Sequence, residues 1–366
     1  MNRFRPIFFG LIIFNLFTLA LLTGCGSTSP QPLTTAPKKA ISEIRNEDRP
    51  VYERLIALPD TAIDTFYTHD ALPIAYRKYI PMNPDSMRVV VAFIHGTAAQ
   101  SKLYIPFAET LQQAGIGVAL IDLRGHGLSG GERGDSRTSD ALARDVRIFL
   151  DTLRRQFPER KIILGGHSLG AGVAQKYVEF FANRADRKKT YQEPDGFVFM
   201  SGGFLLEASG DSVAAMGMKQ FDQESDRSFA KVDPWLSLAA IPLAFAGVHP
   251  KPVEIFMPQQ DALIKAATDK NLFTLKYSLQ FFLASFPLAS RETYRKITAP
   301  VLFVIGTEDE LFSVAGARFA FEKMGQQQKE LIVSEGANHV SVVWKSAAAV
   351  AEWINRTFAA PQNLEF

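Results

Sequence analysis

The sequence predicts an α/β protein in which a mostly parallel central sheet is flanked by helices and carries an inserted, mainly helical cap. Short unbroken apolar runs, typical of strands buried on both faces, alternate along most of the chain with segments of helical periodicity. Such alternation favours a parallel sheet covered by helices on both faces. Residues 202–297 break the alternation and are rich in Phe, Leu and Ala, so we interpret them as a cap or lid over the sheet.

The individual elements follow from the same patterns. Two β-rich runs, at residues 63–68 and 74–80, are expected to form an opening antiparallel hairpin. Buried strands are predicted at residues 89–94, 117–121, 162–164, 197–200, 301–305 and 331–333. The clearest helices are predicted at residues 102–114, 139–156, 171–183, 314–324 and 342–358. The core therefore occupies residues 60–201 and 298–366, on either side of the cap.

The N-terminus has the features of a targeting signal. Arg3 and Arg5 precede an apolar run over residues 7–22, which is short for a membrane span and suits a signal peptide. The tetrapeptide LTGC, which ends at the single cysteine Cys25, resembles the lipobox of bacterial lipoproteins. The alternative is an uncleaved anchor helix with an incidental cysteine.

The lipobox resemblance implies a lipid anchor. Residues 1–24 would be a signal peptide that is removed, and the Cys25 thiol would be joined to a diacylglycerol. Residues 25–59 would then be a flexible tether, since prolines and hydroxyl residues are frequent just after Cys25. The expected location is the bacterial cell envelope, and the periplasmic side of the outer membrane is favoured.

Charge and cysteine content exclude several functions. The chain has 40 Lys and Arg against 38 Asp and Glu, a net charge of +2, so no excess of cations is available to neutralise nucleic-acid phosphates. A single cysteine excludes an internal disulfide and a zinc cluster built from cysteines. We expect no nucleic-acid partner and no metal, and the sequence leaves the oligomeric state open.

The strongest chemical signal is a G-x-S-x-G motif at residues 166–170. It lies directly between a predicted buried strand and a predicted helix, which is the context of a nucleophilic serine on a sharp turn. Glycines are needed there because a Cβ would clash in so tight a turn. Ser168 is therefore the predicted nucleophile.

A serine hydroxyl needs a base and an orienting acid. In the chain order Ser, acid, His, the base follows Ser168, which leaves His249 and His339. His339 follows a predicted strand and is preferred, whereas His249 is interpreted as part of a surface turn in the cap. Three carboxylates directly follow the strand at residues 301–305 and are candidates for the acid: Glu308, Asp309 and Glu310.

Two backbone amides are predicted to stabilise the oxyanion. Thr97 lies in the loop after the strand at residues 89–94, and Leu169 directly follows the serine. His95, in the same loop, is interpreted as structural.

Two other patterns lack the necessary context. Residues 125–130 spell G-x-G-x-x-G, but the glycines start beyond the strand and no helix follows, so we reject a nucleotide site. Asp122, His126 and His167 lack the spacing of metal ligands and are interpreted as packing or hydrogen-bonding residues around the serine.

The motifs together resemble the α/β-hydrolase superfamily. The stretch RGHGLSGGERG at residues 124–134 is most similar to the monoacylglycerol lipase and lysophospholipase branch. The resemblance covers residues 60–358 and is far more specific for the fold than for the substrate. It puts the acid three residues after Gly306, which implies that Asp309 is the acid and that Glu308 and Glu310 are solvated.

We therefore expect a membrane-anchored serine hydrolase that cleaves carboxylic esters, such as monoacylglycerol- or lysophospholipid-like lipids, without a cofactor. The many cap phenylalanines are interpreted either as an acyl-chain pocket or as the core of the cap itself. The alternatives on the same scaffold are a peptidase, a thioesterase or acyltransferase, and a haloperoxidase. A non-catalytic lipoprotein that binds a ligand or partner is the alternative from a different class.

Overall fold

A computed structural model describes most of the chain. The described residues are 39–40, 44–59, 63–182, 191–203, 227–228, 230–255, 261–270, 273–288 and 290–358. The predicted signal peptide and Cys25 lie outside these residues. Among the described residues, none of the helices combines the length and hydrophobicity that a membrane crossing requires.

The strands form one large sheet and two small ones. In chain order they are β1 (Lys39–Ala40), β2 (Asp64–Tyr67), β3 (Pro73–Tyr79), β4 (Val89–Ile94), β5 (Gly117–Ile121), β6 (Lys161–His167), β7 (Gly196–Met200), β8 (Arg227–Ser228), β9 (Ala230–Val232), β10 (Val253–Ile255), β11 (Lys276–Tyr277), β12 (Val301–Gly306) and β13 (Lys329–Ser334). The large sheet has eight strands in the order β13-β12-β7-β6-β4-β5-β3-β2. Seven of these strands run in the same direction, and β3 runs antiparallel to both of its neighbours, β2 and β5. The predicted fold and its opening hairpin are confirmed.

The helices cover both faces of the large sheet. In chain order they are α1 (Arg49–Ala57), α2 (Ile105–Gln113), α3 (Ala141–Gln156), α4 (Leu169–Ala182), α5 (Pro234–Phe245), α6 (Ala262–Asp269), α7 (Leu279–Ser285), α8 (Ser290–Lys296), α9 (Val314–Lys323), α10 (Val342–Lys345) and α11 (Ala347–Thr357). Short 3₁₀ turns occupy Pro84–Ser86 and Ser101–Tyr104.

Strand β4 shows why the sheet is buried on both sides. All six of its residues are buried, and alternate side chains enter different cores because successive residues in a strand face opposite ways. Val90 and Ile94 join the core that contains α3, α4 and α9, whereas Val91 and Phe93 join the core that contains α2, α10 and α11. An unbroken apolar run is the sequence consequence of this double burial.

The described part of the predicted cap contains more than helices. Between β7 and β12 it has helices α5 to α8 and a three-stranded antiparallel sheet in the order β11-β10-β9. The sequence did not predict this sheet, since its strands have only two or three residues, too few to establish an alternating pattern.

The predicted tether is wrong at its C-terminal end. Residues 49–57 form α1, which begins with a proline in its first turn and buries Leu55. Its neighbour Asp48 accepts a hydrogen bond from the indole of Trp344 at 3.2 Å. Contacts far along the chain therefore order a segment whose composition alone suggested flexibility.

A methyl group at Gly170 should destabilise the protein. A Cβ at this position would lie 2.2 Å from the carbonyl oxygen of Ile94, inside van der Waals contact. Overpacking of this kind costs about 1–3 kcal/mol or more, so Gly170→Ala should lower the free energy of unfolding by at least that amount. Urea titration followed by circular dichroism measures it. The matched control is Gly325→Ala, whose Cβ would meet nothing within 4 Å; equal stability of the two variants would contradict the close approach.

Candidate active site

Ser168 lies on a strained turn between β6 and α4. Its φ of 53° is in the left-handed region, which residues with side chains rarely adopt. Its N–H donates to the carbonyl of Met200 at 2.9 Å. The chain can turn so sharply because Gly166 and Gly170 pack against each other, and a Cβ on Gly166 would lie 2.3 Å from the carbonyl carbon of Gly170. The turn projects the hydroxyl beyond the end of the sheet.

His339 meets the serine hydroxyl. The distance between His339 Nε2 and Ser168 Oγ is 3.1 Å, although 171 positions separate the two residues. The loop after β13 is held by Asn338, whose side-chain oxygen accepts the N–H groups of Val340 and Ser341 at 3.1 and 2.7 Å. This capped turn fixes the backbone from which the imidazole projects.

Asp309 lies on the other side of the imidazole. Its two carboxylate oxygens are 3.1 and 3.0 Å from His339 Nδ1. The carboxylate is fully buried and also accepts the N–H groups of Leu311 and Phe312 at 2.8 and 2.9 Å. Because the carboxylate accepts the proton of Nδ1, Nε2 is left as the acceptor that faces the serine hydroxyl. The structure thus brings together the three side chains that the sequence selected; their roles remain a prediction.

Burial and charge shift the pKa values of Asp309 and His339 in opposite directions. Burial raises the pKa of Asp309, but the charge of His339 and hydrogen bonds from His339 and other groups outweigh it and hold that pKa below 3.8. Burial lowers the pKa of His339, yet the charge of Asp309 and the hydrogen bond to it bring the pKa above 6.5. The site is thus suited to stabilise an imidazolium ion.

The two flanking glutamates differ from each other. Glu308 is exposed and pairs with Arg45 at 2.5 Å, as expected of a solvated residue. Glu310 is half-buried, and its carboxylate accepts the N–H of His339 at 2.9 Å, so the expectation that it is solvated is wrong. It supports the loop that carries His339. The sequence contained no signal for this contact, which depends on the relative positions of two loops.

The two predicted oxyanion residues lie beside the serine. Thr97 lines the pocket at Ser168, and Leu169 is the first residue of α4. Within the described part of the chain, neither amide N–H donates to a protein group. The neighbouring amides of Gly96 and Ala98 are instead taken by the hydroxyls of Tyr104 and Tyr277, both at 2.8 Å.

The residues rejected as metal ligands have structural partners. The ring of His167 contacts the Tyr104 hydroxyl at 2.9 Å and the carbonyl of His339 at 2.7 Å. Burial lowers the pKa of His167 to about 3, so the ring is neutral. The carboxylate of Asp122 accepts the amides of Ser101 and Leu128 at 2.6 and 2.9 Å.

The other buried histidines are bound in the same way. The His95 ring accepts the N–H of Leu123 at 3.0 Å, which agrees with a structural role. His126 contacts the carbonyl of Arg124 and the Tyr277 hydroxyl, both at 2.9 Å. The hydrogen bonds of these two rings stabilise the loops around Ser168.

His249 differs from its expected position in a surface turn. Its side chain is 11% exposed, and its Nδ1 lies 2.9 Å from the carboxylate of Asp135. The pair connects the cap to the loop that follows β5. No hydrogen bond joins His249 to Ser168 in the described part of the chain, so His339 is the histidine that meets the serine.

One cluster has the composition of a metal site. His69, Asp70 and Asp145 offer ligand atoms within 4.8 Å of one another. The guanidinium of Arg124 lies against both carboxylates, 2.6 Å from Asp145 and 3.0 Å from Asp70. Arginine already supplies the positive charge, so the cluster is an ion-pair network that holds the loop after β5.

A cavity of about 80 Å³ opens beside the serine. The core contributes Ser168, His339 and Val343, and the cap contributes Ile255, Ile264 and Phe273. Phe281, Phe282 and Phe286 pack against the main core. Phe273 therefore fits the pocket interpretation, whereas the other three belong to the main core rather than to a separate core of the cap. Phe204, Phe221, Phe229 and Phe256, together with the Phe245 side chain, lie outside the described residues.

The chain is similar to known hydrolases in sequence and in fold. Residues 85–342 match the family described as serine aminopeptidase, S33. Human monoglyceride lipase is 27% identical over 253 residues, which cover 69% of this chain and 76% of the relative. The monoacylglycerol lipase of Mycolicibacterium smegmatis is 25% identical over 265 residues, 71% of this chain and 85% of the relative. The solved structure of a soluble variant of monoglyceride lipase from Saccharomyces cerevisiae, in complex with a substrate analogue, shares the fold with a TM-score of 0.59 at 16% identity. The match covers 91% of this chain and all of the other.

The two histidines beside Ser168, His339 and His167, should have pKa values on opposite sides of 6.5. We expect the pKa of His339 above 6.5 and that of His167 near 3. Asp309→Asn removes the charge and leaves the burial, so the pKa of His339 should fall below 6.5. Histidine side-chain NMR over a pH series measures these values.

The control for this titration is Glu308→Gln, which removes an exposed charge outside the pair. It should leave the pKa of His339 within a few tenths of the wild-type value. A wild-type His339 that titrates below 6.5, or equal shifts in the two variants, would contradict the assignment of Asp309 as its charge partner.

Proposed function

The chain belongs to the serine aminopeptidase S33 family of α/β hydrolases and is a carboxylic ester hydrolase, and on this premise we propose that it cleaves monoacylglycerol- or lysophospholipid-like esters through Ser168, His339 and Asp309. The observation that carries the proposal is the 3.1 Å distance between His339 Nε2 and Ser168 Oγ, with a buried carboxylate behind the imidazole.

The proposed reaction has two halves. In the first, His339 Nε2 takes the proton of the Ser168 hydroxyl while Oγ attacks the ester carbonyl carbon. The tetrahedral intermediate collapses, and the alcohol leaves with the proton that His339 returns. In the second half, His339 removes a proton from water, the hydroxide attacks the acyl-enzyme, and the carboxylic acid leaves while Ser168 regains its proton.

Asp309 and two amides complete the proposed mechanism. Asp309 keeps the proton on Nδ1 and stabilises the imidazolium that forms during attack, a role that its fully buried position favours. The N–H groups of Thr97 and Leu169 would stabilise the negative charge on the carbonyl oxygen, since they have no protein acceptor in the described part of the chain. This route needs no cofactor and no metal.

The apolar pocket supports a lipid-like ester as the substrate. Its walls include Ile255, Ile264 and Val343, which suit an acyl chain better than a polar one. Two relatives named above are monoglyceride or monoacylglycerol lipases, and this supports the same substrate class here.

A peptidase is the second candidate, because the family description names an aminopeptidase. A site for a free α-amine needs a carboxylate nearby. Among the described residues that line the pocket none is acidic, which favours the ester substrate. Thioester, acyl-transfer and haloperoxidase chemistry on the same scaffold remain alternatives that a substrate panel separates.

We also propose that the chain is lipid-anchored at Cys25 in the bacterial cell envelope, on the periplasmic side of the outer membrane. The basis is the N-terminal sequence alone: two arginines, an apolar run and LTGC. Acyl chains on Cys25 would hold the hydrolase at a lipid surface, because each buried methylene contributes about 0.8 kcal/mol. This location would bring the enzyme close to membrane lipids as substrates.

Replacement of the nucleophile should abolish ester hydrolysis. Ser168→Ala should lower kcat/KM for a monoacylglycerol by about 10⁴-fold or more, since no other group can form the acyl-enzyme. Fatty-acid release by the full-length protein in detergent measures it, with lysophospholipids and short peptides assayed in parallel. Ser86→Ala, an exposed serine in a 3₁₀ turn, is the control. Retained hydrolysis in Ser168→Ala, or faster hydrolysis of the peptides than of any ester, would refute the proposal.

The lipid anchor predicts a particular mature N-terminus. In a bacterial host, mass spectrometry should find the chain starting at Cys25 with a thioether-linked diacylglycerol, and Cys25→Ser should lack this mass. A chain that starts at Met1 with a Cys25 thiol open to alkylation would contradict the anchor and favour an uncleaved N-terminal helix.

A further inference from the structure

Helix α1 contributes to the pocket although it lies outside the family match. The match covers residues 85–342, whereas α1 spans Arg49–Ala57. Tyr52, in the middle of α1, lines the same pocket as Ser168 and His339. A segment that precedes the matched residues thus lines the pocket at Ser168.

Several contacts hold α1 on the core. The indole Nε1 of Trp344 donates to Asp48 at 3.2 Å, and Arg54 pairs with Glu109 of α2 at 2.5 Å. The ring of Tyr52 packs edge-on against Trp344, with centroids 6.0 Å apart and planes at 88°. This aromatic contact fixes the direction of the Tyr52 ring, since edge-to-face pairs are favoured.

Other contacts hold α1 on the cap. Arg49 pairs with Asp261, directly before α6, at 2.5 Å, and Lys270 donates to the carbonyl of Ile56 at 2.9 Å. Partly exposed ion pairs contribute little to stability one by one. Because these contacts lie on both sides of α1, the remaining ones keep it between core and cap when a single ion pair is lost.

The surroundings of Tyr52 are apolar. Trp344 and Val343 of α10 line the pocket from the core, while Ile264 of α6 and Phe273 line it from the cap. In the described part of the chain, no hydrogen bond joins the Tyr52 hydroxyl to another residue. The ring therefore acts on a ligand mainly by its size and apolar faces.

We propose that Tyr52 is a specificity-determining residue of the hydrolase, whose ring forms a wall of the acyl-chain pocket and limits the length of the acyl chain that fits. The inference rests on the proposed ester hydrolysis at Ser168. It adds that Tyr52 selects among ester substrates by the length of their acyl chain. Helix α1, which precedes the residues of the family match, would then contribute to substrate specificity.

A series of monoacylglycerols with acyl chains of graded length tests the inference on the full-length protein in detergent. Tyr52→Ala opens the wall, so the ratio of kcat/KM for long chains to that for short chains should rise. Each additional buried methylene is worth about fourfold in kcat/KM, so room for two more should raise this ratio by about tenfold or more. Tyr52→Phe retains the ring and should keep the wild-type profile.

The matched control is Arg54→Ala on the same helix. It removes the ion pair to Glu109 without changing the pocket wall, so the wild-type profile should persist. Thermal unfolding of each variant verifies that the fold is intact. If Arg54→Ala changes the profile as much as Tyr52→Ala does, helix position rather than the ring sets the selection, and the inference fails.

The remaining outcomes separate this inference from the proposed function. A Tyr52→Ala profile identical to that of the wild type would overturn the role of Tyr52 while leaving ester hydrolysis at Ser168 intact. If Tyr52→Phe shows the same chain-length profile as Tyr52→Ala, the hydroxyl rather than the ring selects the substrate, and the proposed role of the ring as a pocket wall is wrong. A wild-type protein that hydrolyses none of the esters would overturn both proposals.

Discussion

The left-handed backbone at Ser168 is the constraint on which the site depends. A residue with a side chain adopts a φ of 53° only where its surroundings enforce it. Here the enforcement comes from the close approach of Gly166 to Gly170 and from the packing of Gly170 on the carbonyl of Ile94. The parallel strands β4 and β6 set that approach. The same turn presents the hydroxyl to His339 and starts α4 directly behind it, so sheet, turn and helix form one unit.

The second constraint is the burial of two ionisable side chains, Asp309 and His339. Asp309 and His339 are both nearly inaccessible to water, so their mutual attraction must offset the cost of burial. It does so for this pair, since the pKa of Asp309 is lowered and that of His339 is raised. His167 is equally buried, but its ring contacts a hydroxyl and a backbone carbonyl instead of a carboxylate, and it stays neutral. The position of a single carboxylate thus distinguishes two neighbouring imidazoles and makes one of them suitable as a base.

The sequence predicted the elements that local pattern controls and missed those that distant contacts control. Strand β4 was predicted because burial on both faces leaves an unbroken apolar run, and the turn at Ser168 because it requires glycines at fixed spacing. Helix α1 was missed because its order comes from partners such as Trp344, nearly 300 residues away. The contact between Glu310 and His339 exists only once two loops meet, so the sequence pattern contains no signal for it. Tyr52 carries no motif, so only its position reveals it.

All of the proposed chemistry requires that the imidazole of His339 activates the hydroxyl of Ser168. The most direct measurement is the rate of phosphonylation by a fluorophosphonate, with peptide mapping of the adduct. We expect one adduct, on Ser168, and a rate that falls by orders of magnitude in His339→Ala while the fold is retained. An adduct on another residue, or an unchanged rate without the imidazole, would show that the 3.1 Å contact between the two groups does not activate the serine.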